Sequence, residues 1–311
     1  MGGAWPDVEL RSGRRSELRT GLLFGLIAGG TLVVVVWGMD AWSLSRSGGM
    51  LAWMKTAYAA AWVVLPEDDD EPWVWSEVDI THVKGSLMPM DDPQIEAVCS
   101  DGEGRVLLLQ EAPARVELFD WTAEQVIATI DLEVPAGHPL SEAWLDPEGS
   151  RGEGAVLLAN GHLLIAKEKD PPAFIEFGPA GESPSGLGPG TVLAGGSAWP
   201  VDPGHQRFVA LETWLPTDEL LEACADFSDL EVGPDRRVYL LSDKSATISR
   251  LSELVPGAGH ATMERTWSLG KIDGKPEGLT FTRHGRAIVA LDTRRAKSNL
   301  IVFDPPIVTW W

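Results

Sequence analysis

The sequence predicts an all-β protein: a β-propeller of five blades, with six as the alternative count, preceded by one amino-terminal transmembrane helix. Three observations carry this. From about residue 73 onward, short runs rich in Val, Ile and Leu alternate with turns of Gly, Asp and Pro. These runs recur as a unit of four strands. Ahead of them lies an uncharged stretch of membrane length.

The stretch is "TGLLFGLIAGGTLVVVVWGM", residues 20–39. Twenty residues in a helix rise about 30 Å, the thickness of a bilayer's hydrocarbon core. Trp37, Met39, Asp40 and Trp42 leave no small-residue cleavage site, so an uncleaved anchor is expected. Arg11, Arg14, Arg15 and Arg19 precede it, and only Arg46 follows closely. That bias places the amino terminus in the cytoplasm and the rest of the chain outside the membrane. Gly21, Gly25 and Gly29 recur every fourth residue, a face on which a partner helix or a second copy can pack closely. Residues 51–65, "LAWMKTAYAAAWVVL", read as an interfacial helix with Trp53, Tyr58 and Trp62 at head-group level; a second span is the alternative. The expected organisation is a cytoplasmic tail over 1–19, the helix over 20–39, a membrane-proximal segment with an acidic linker over 40–72, and the propeller over 73–311.

The formal net charge is -21. Residues 1–65 hold 6 Lys/Arg and 4 Asp/Glu, which leaves 19 and 42 for the remainder. A body so acidic is repelled by nucleic acid and by anionic lipid, and no nucleic-acid partner is expected. Cys99 and Cys224 form no metal-binding or redox motif; they either pair outside the cytoplasm or sit apart in the core.

The clearest unit is 95–134: "IEAVCS", the turn "DGEG", "RVLLLQ", "ARVELFDW", the turn "TAE", and "QVIATIDLEV". Residues 226–270 repeat it through "FSDLEV", "RVYLLSD", "ATISRL" and "ERTWSL". Residues 276–304 give three strands, "PEGLTF", "RAIVALD" and "SNLIVFD". A further unit is expected to begin at "SEAWLD", 141–146, and to continue through "GHLLIAKEKD" and "PAFIEFG". A degenerate unit is expected near 185–215. Repetition of four-stranded units at this spacing signals a propeller; a β-sandwich, the alternative, does not require it. "WSEVDITHV", 75–83, is expected to supply the outer strand missing from the last unit and so lock the ring.

Acids recur at fixed places in these units. Glu96, Glu142, Asp229 and Glu277 stand near unit starts. Gln110 or Glu111, Glu168, Asp243 and Asp292 stand at second-strand ends. Carboxylates converging on an axis require protons, basic side chains or a hard cation, and calcium suits such an oxygen-rich ring. The competing reading is that each caps a turn.

"PEGLTF…GRAIVALD", "DFSDLEV…RVYLLSD" and "LLIAKEKDP" resemble the SdiA-regulated family of bacterial propellers and the related esterase-like-domain-of-phytase proteins. The resemblance covers about 94–303. It implies a calcium-associated propeller, often exported or membrane-anchored, with Glu277, Asp229, Asp243 and Glu168 as carried-over site residues. The first unit departs from the pattern, with Ala97 where "PEGL" has glycine.

No nucleophile elbow, zinc-protease motif, P-loop or dinucleotide fingerprint is present. Three functions are expected in order: a membrane-tethered module that binds a ligand or an envelope protein, a calcium-dependent hydrolase of esters, lactones or phosphoesters, and a structural subunit docked through the glycine-faced helix. In the second, the metal would polarise the scissile group and Glu277 would activate water.

Overall fold

The computed structural model describes residues 20–27, 31–38, 59–64, 74–79 and 95–308, the last without 102–104, 112, 121–122, 124, 147–150, 195–196, 273, 283, 293–299 and 304–305. The chain is mostly β. Its strands are β1 (Thr20–Ile27), β2 (Thr31–Gly38), β3 (Ala59–Val64) and β4 (Val74–Asp79), then β5 (Ile95–Ser100), β6 (Arg105–Gln110), β7 (Arg115–Asp120) and β8 (Gln125–Glu133). They continue as β9 (Gly154–Leu157), β10 (Leu163–Lys167), β11 (Ala173–Pro179) and β12 (Gly204–Pro216), then β13 (Asp229–Val232), β14 (Val238–Ser242), β15 (Thr247–Leu251), β16 (His260–Ala261) and β17 (Met263–Ser268). The last are β18 (Lys275–Phe281), β19 (Ala287–Asp292) and β20 (Leu300–Val302). Two short helices, α1 (Ser141–Leu145) and α2 (Asp218–Ala223), interrupt the pattern.

Antiparallel meanders run β1-β2-β3-β4, β5-β6-β7-β8, β9-β10-β11-β12, β13-β14-β15-β17 and β18-β19-β20. The first strands of these meanders touch in a cycle: β1 meets β5, β5 meets β9, β9 meets β13, β13 meets β18, and β18 meets β1. This is a propeller-like ring with its first strands innermost. β12 is long enough to serve two sheets. Gly204–Val209 lie parallel to β8, and Phe208–Trp214 lie antiparallel to β11, so the second and third meanders share an outer edge.

Apolar clusters fill the spaces between successive sheets. Leu107, Leu109 and Leu118 pack on Leu163 and Ile165. Leu164, Ala166 and Phe174 pack on Leu230 and Leu240. Tyr239, Leu241 and Ile248 pack on Leu279, Phe281 and Val289. Second strands are therefore covered on both faces. That is why "RVLLLQ", "LLIAK" and "VYLLS" read as continuous apolar runs instead of alternating ones.

Four expectations are corrected. Where it is described, the stretch expected as a membrane helix is strand: Thr20–Ile27 and Thr31–Gly38 form β1 and β2, paired from Thr20↔Gly38 to Ile27↔Thr31. An uninterrupted apolar run does not by itself separate helix from buried strand, and here the β-branched run Val33–Val36 favours strand. No helix among the described residues is long and apolar enough to cross a membrane. The expected interfacial helix over 51–65 is strand β3 where it is described, and its remainder lies outside the described residues. The described part of 75–83, the segment expected to lock the ring, lies in Val74–Asp79 and does not join the last meander, and 80–83 lie outside the described residues. β4 pairs with β3, and the amino-terminal meander is itself the extra unit that had been sought near 185–215. Glu142 lies on α1, not on an inner strand: Ser-Glu-Ala-Trp-Leu favours helix, and Trp144 anchors it by donating from Nε1 to the Leu132 carbonyl at 3.3 Å. Cys99 and Cys224 are unpaired.

Candidate functional site

Register makes the inner strands comparable residue by residue. Ala97, Gly154, Asp229 and Gly278 face Leu109, Ala166, Leu241 and Ala290 on the second strands. One residue earlier stand Glu96, Glu153, Ser228 and Glu277. Glu96 and Glu277 fall where the register skips, the same bulge in two sheets. Two residues beyond the second-strand partners stand Glu111, Glu168, Asp243 and Asp292. In an antiparallel pair the start of the first strand lies beside the end of the second. Both acidic series therefore lie at one end of the ring, called here the mouth.

Of the acids singled out from sequence, Asp229, Asp243, Glu168 and Glu277 lie at the mouth. Asp292 ends β19 opposite Lys275, with its side chain outside the described set. Glu142 is remote and exposed. Its true counterpart is Glu153, which the sequence reading missed. The signal was present: "GEG" at 152–154 repeats the Glu-Gly of "PEG" at 276–278.

Asp229 is buried, at 4% exposure. Its Oδ1 accepts the Leu230 N–H at 2.7 Å, and its Oδ2 accepts the Leu279 N–H at 2.8 Å. The second bond joins β13 to β18 and so ties neighbouring sheets. Burial pushes this carboxyl well above the usual carboxylate range, and the charges of Glu231 and Glu277 push the same way against the two N–H donors. Asp229 is thus a staple. Asp229→Ala orphans the buried Leu279 N–H, and a loss of about 1–3 kcal/mol is expected in urea unfolding of the full chain. Unchanged unfolding would remove the staple role.

Lysines interleave with the acids. Lys244 Nζ lies 3.9 Å from Glu168 Oε1 and 3.9 Å from Asp226 Oδ2. Glu168 also pairs with Lys169 at 3.1 Å. Asp226 accepts from Ser242 Oγ at 2.5 Å and from the Lys244 N–H at 3.1 Å. Burial raises Asp243, as does nearby Asp226, with Lys275 and Lys244 opposing. Lys167 is fully buried beneath them and donates to the Lys169 carbonyl; burial lowers its pKa.

This donor set does not fit calcium. Among the described residues no three His, Cys, Asp or Glu side chains are grouped to hold a metal ion. Both oxygens of Asp229 already accept backbone N–H groups. Lys244 stands between Glu168 and Asp226, where its ammonium supplies the positive charge that a cation would bring.

No family model matches the chain, and no curated protein matches it. Solved structures do. A catalytically inactive virginiamycin B lyase from Staphylococcus aureus with quinupristin is 10% identical, with a TM-score of 0.40, over 97% of this chain and 88% of that one. A luciferin-regenerating enzyme is 10% identical, with a TM-score of 0.44, over 93% and 73%. The major Malassezia sympodialis allergen Mala s 1 is 10% identical, with a TM-score of 0.44, over 88% and 73%. The fold and site described above rest on this chain's own sheets.

Proposed function

We propose that the chain is a five-bladed propeller acting as a binding module, and that its ligand is cationic and enters at the mouth. The observation that carries this is the recurrence of acids at equivalent positions. Glu96, Glu153 and Glu277 form one series, and Glu111, Glu168, Asp243 and Asp292 form the other, all at one end of the ring. Turn capping alone gives no reason for the same end to be chosen in four sheets. Lys169 and Lys244 pair with part of this charge, so a bound cation would displace or reorganise those pairs.

Spermine is a suitable probe, with binding measured by calorimetry at low salt. The triple variant Glu168→Gln, Asp243→Asn, Glu277→Gln is expected to weaken binding at least tenfold. Glu133→Gln and Glu253→Gln, on outer strands and loops, should leave it within twofold. Equal loss in both sets would reduce the mouth to general charge and overturn the reading. Calcium enters as a second arm: a chelator-sensitive melting temperature would restore the metal site expected from sequence. Turnover of an aryl ester, lactone or phosphoester would favour the hydrolase instead.

Location is argued from sequence only. An anchor through 20–39, amino terminus inside and body outside, needs in lipid the residues that form β1 and β2. The two placements exclude each other. Carbonate extraction of membranes decides: protein retained in the pellet places 20–39 in lipid, and protein released places it in the ring.

A further inference from the structure

The connection from β11 to β12 crosses the end of the ring opposite the mouth. Its residues 185–194 and 197–201 bond in turn to three sheets. Leu187 and Leu254, beyond β15, exchange N–H···O bonds of 2.9 and 3.0 Å. Arg236, in the β13–β14 turn, donates to the Val192 carbonyl at 3.0 Å. The Ala159 N–H reaches the Thr191 carbonyl at 2.8 Å, and the Leu193 N–H reaches that of Leu157 at 2.9 Å, both at the end of β9. The Trp199 N–H then meets Asp101 Oδ2 at 3.1 Å, and Arg105 donates to the Trp199 carbonyl at 3.0 Å, just beyond β5. The strap thus lies against the ends of the inner strands β9 and β5 and on the turn after β13. Val192 and Trp199 are buried at 0% and 1% exposure, so it is packed and not draped. At Gly161, φ +92°, an added Cβ would lie 2.6 Å from the Pro200 carbonyl oxygen, which shows how closely the strap is seated.

The strap begins at a buried clip. His162 is 0% exposed. Its Nδ1 lies 2.6 Å from Glu176 Oε1 and its Nε2 lies 2.8 Å from Glu182 Oε2. Carboxylates accept, so both ring nitrogens donate, which only the protonated ring does. Glu176 also accepts the Ser185 N–H at 2.8 Å, the Ser185 hydroxyl at 3.0 Å and the Gly186 N–H at 2.8 Å. One imidazolium and one carboxylate thereby fix the first residues of the strap. Gly178 lies against the ring, and Asn160 accepts the His162 backbone N–H at 3.1 Å; neither brings a charge.

We propose that this strap closes the far end of the ring, and that the His162–Glu176–Glu182 clip makes the closure sensitive to pH. Burial works against the charged ring, but the bonds to Glu176 and Glu182 outweigh it and hold His162 above its ordinary value. As pH rises through that raised value the ring loses a proton, and one carboxylate loses its donor. Glu182 is half exposed and can turn to water, which frees the connection just ahead of Ser185 and leaves Glu176 alone to hold Ser185 and Gly186. The end at Asp101, Arg105 and Trp199 contains no histidine and stays in place.

Hydrogen exchange read by mass spectrometry on the full chain, corrected for intrinsic rates, tests this. Peptides within 183–194 should be at least tenfold more protected at pH 6 than at pH 9, while 163–177 stays constant. Glu182→Gln should move the loss to lower pH. His162→Gln should make protection of the strap independent of pH. Equal wild-type protection at the two pH values, or a pH dependence that survives His162→Gln, would overturn the proposal. If His162→Gln does not fold, an unchanged transition in Glu182→Gln would overturn it equally.

Discussion

Gly154→Ala is expected to destabilise the chain by about 3 kcal/mol, at the top of the usual range for overpacking. A Cβ at this position would lie 2.4 Å from the Leu230 nitrogen and 2.9 Å from the Asp229 carbonyl carbon. Both are backbone atoms of β13, so no side chain can rotate away. Relief requires β9 and β13 to separate, and β13 is held to β18 by Asp229. The strain therefore passes into the innermost strands, where sheets approach each other most closely. For a domain of this size the melting temperature should fall by roughly 10 °C. Gly190→Ala is the control, since nothing lies within 4 Å of its added Cβ. Its change should stay within about 0.5 kcal/mol. A Gly154→Ala protein that melts with the wild type would mean that β9 and β13 are not neighbours, and the order of sheets in the ring would be wrong.

The same glycine shows what could be read from sequence. The sheets over 95–134, 226–270 and 276–304 were legible because each second strand is apolar on both faces and each turn carries Gly, Asp or a similar residue. The third meander was partly legible. "LLIAK" and "AFIEF" were found, but its first strand was placed on "SEAWLD", which had an acid and apolar residues at plausible spacing. The Glu-Gly pair at 153–154 was the better marker, since a residue without Cβ is needed where inner strands meet. The first meander was not legible, because "LLFGLI" and "LVVVVWG" satisfy membrane helix and buried strand alike. At the mouth, the acids could be read from their recurrence along the chain. Their counter-charges could not: Lys244 meets Glu168 only because two sheets converge, and nothing local relates residues so far apart. The His162 clip was hidden for the same reason, as its partners lie on β11 and on the strap.

Glu176→Ala should cost more than any change at the mouth, about 3–5 kcal/mol, because it strands a buried partner. His162 would lose the nearer of its two carboxylates, and the Ser185 and Gly186 N–H groups would lose their acceptor. The wild-type pair also predicts the shape of the stability curve with pH. Burial would raise Glu176, but His162, Ser185 and Gly186 outweigh it and hold the carboxyl below its ordinary value of 4.5. Its contribution is present above 4.5 and is lost as pH falls through the depressed value. His162 is held above its ordinary value of 6.5. Its contribution is complete below 6.5 and is lost as pH rises through the raised value. The clip is therefore strongest between about 4.5 and 6.5, and its alkaline limb belongs to the histidine. Glu176→Gln separates the terms. Its amide oxygen can still accept from the ring, so the loss should be smaller, but one of the two carboxylate charges that raise His162 is gone while that of Glu182 stays. The alkaline decline should then begin at lower pH and be shallower. Urea unfolding of the full chain at intervals from pH 4 to 9 measures both limbs. A Glu176→Gln curve parallel to the wild type across the alkaline range would show that His162 does not carry the proton there, and the imidazolium reading of the clip would fail.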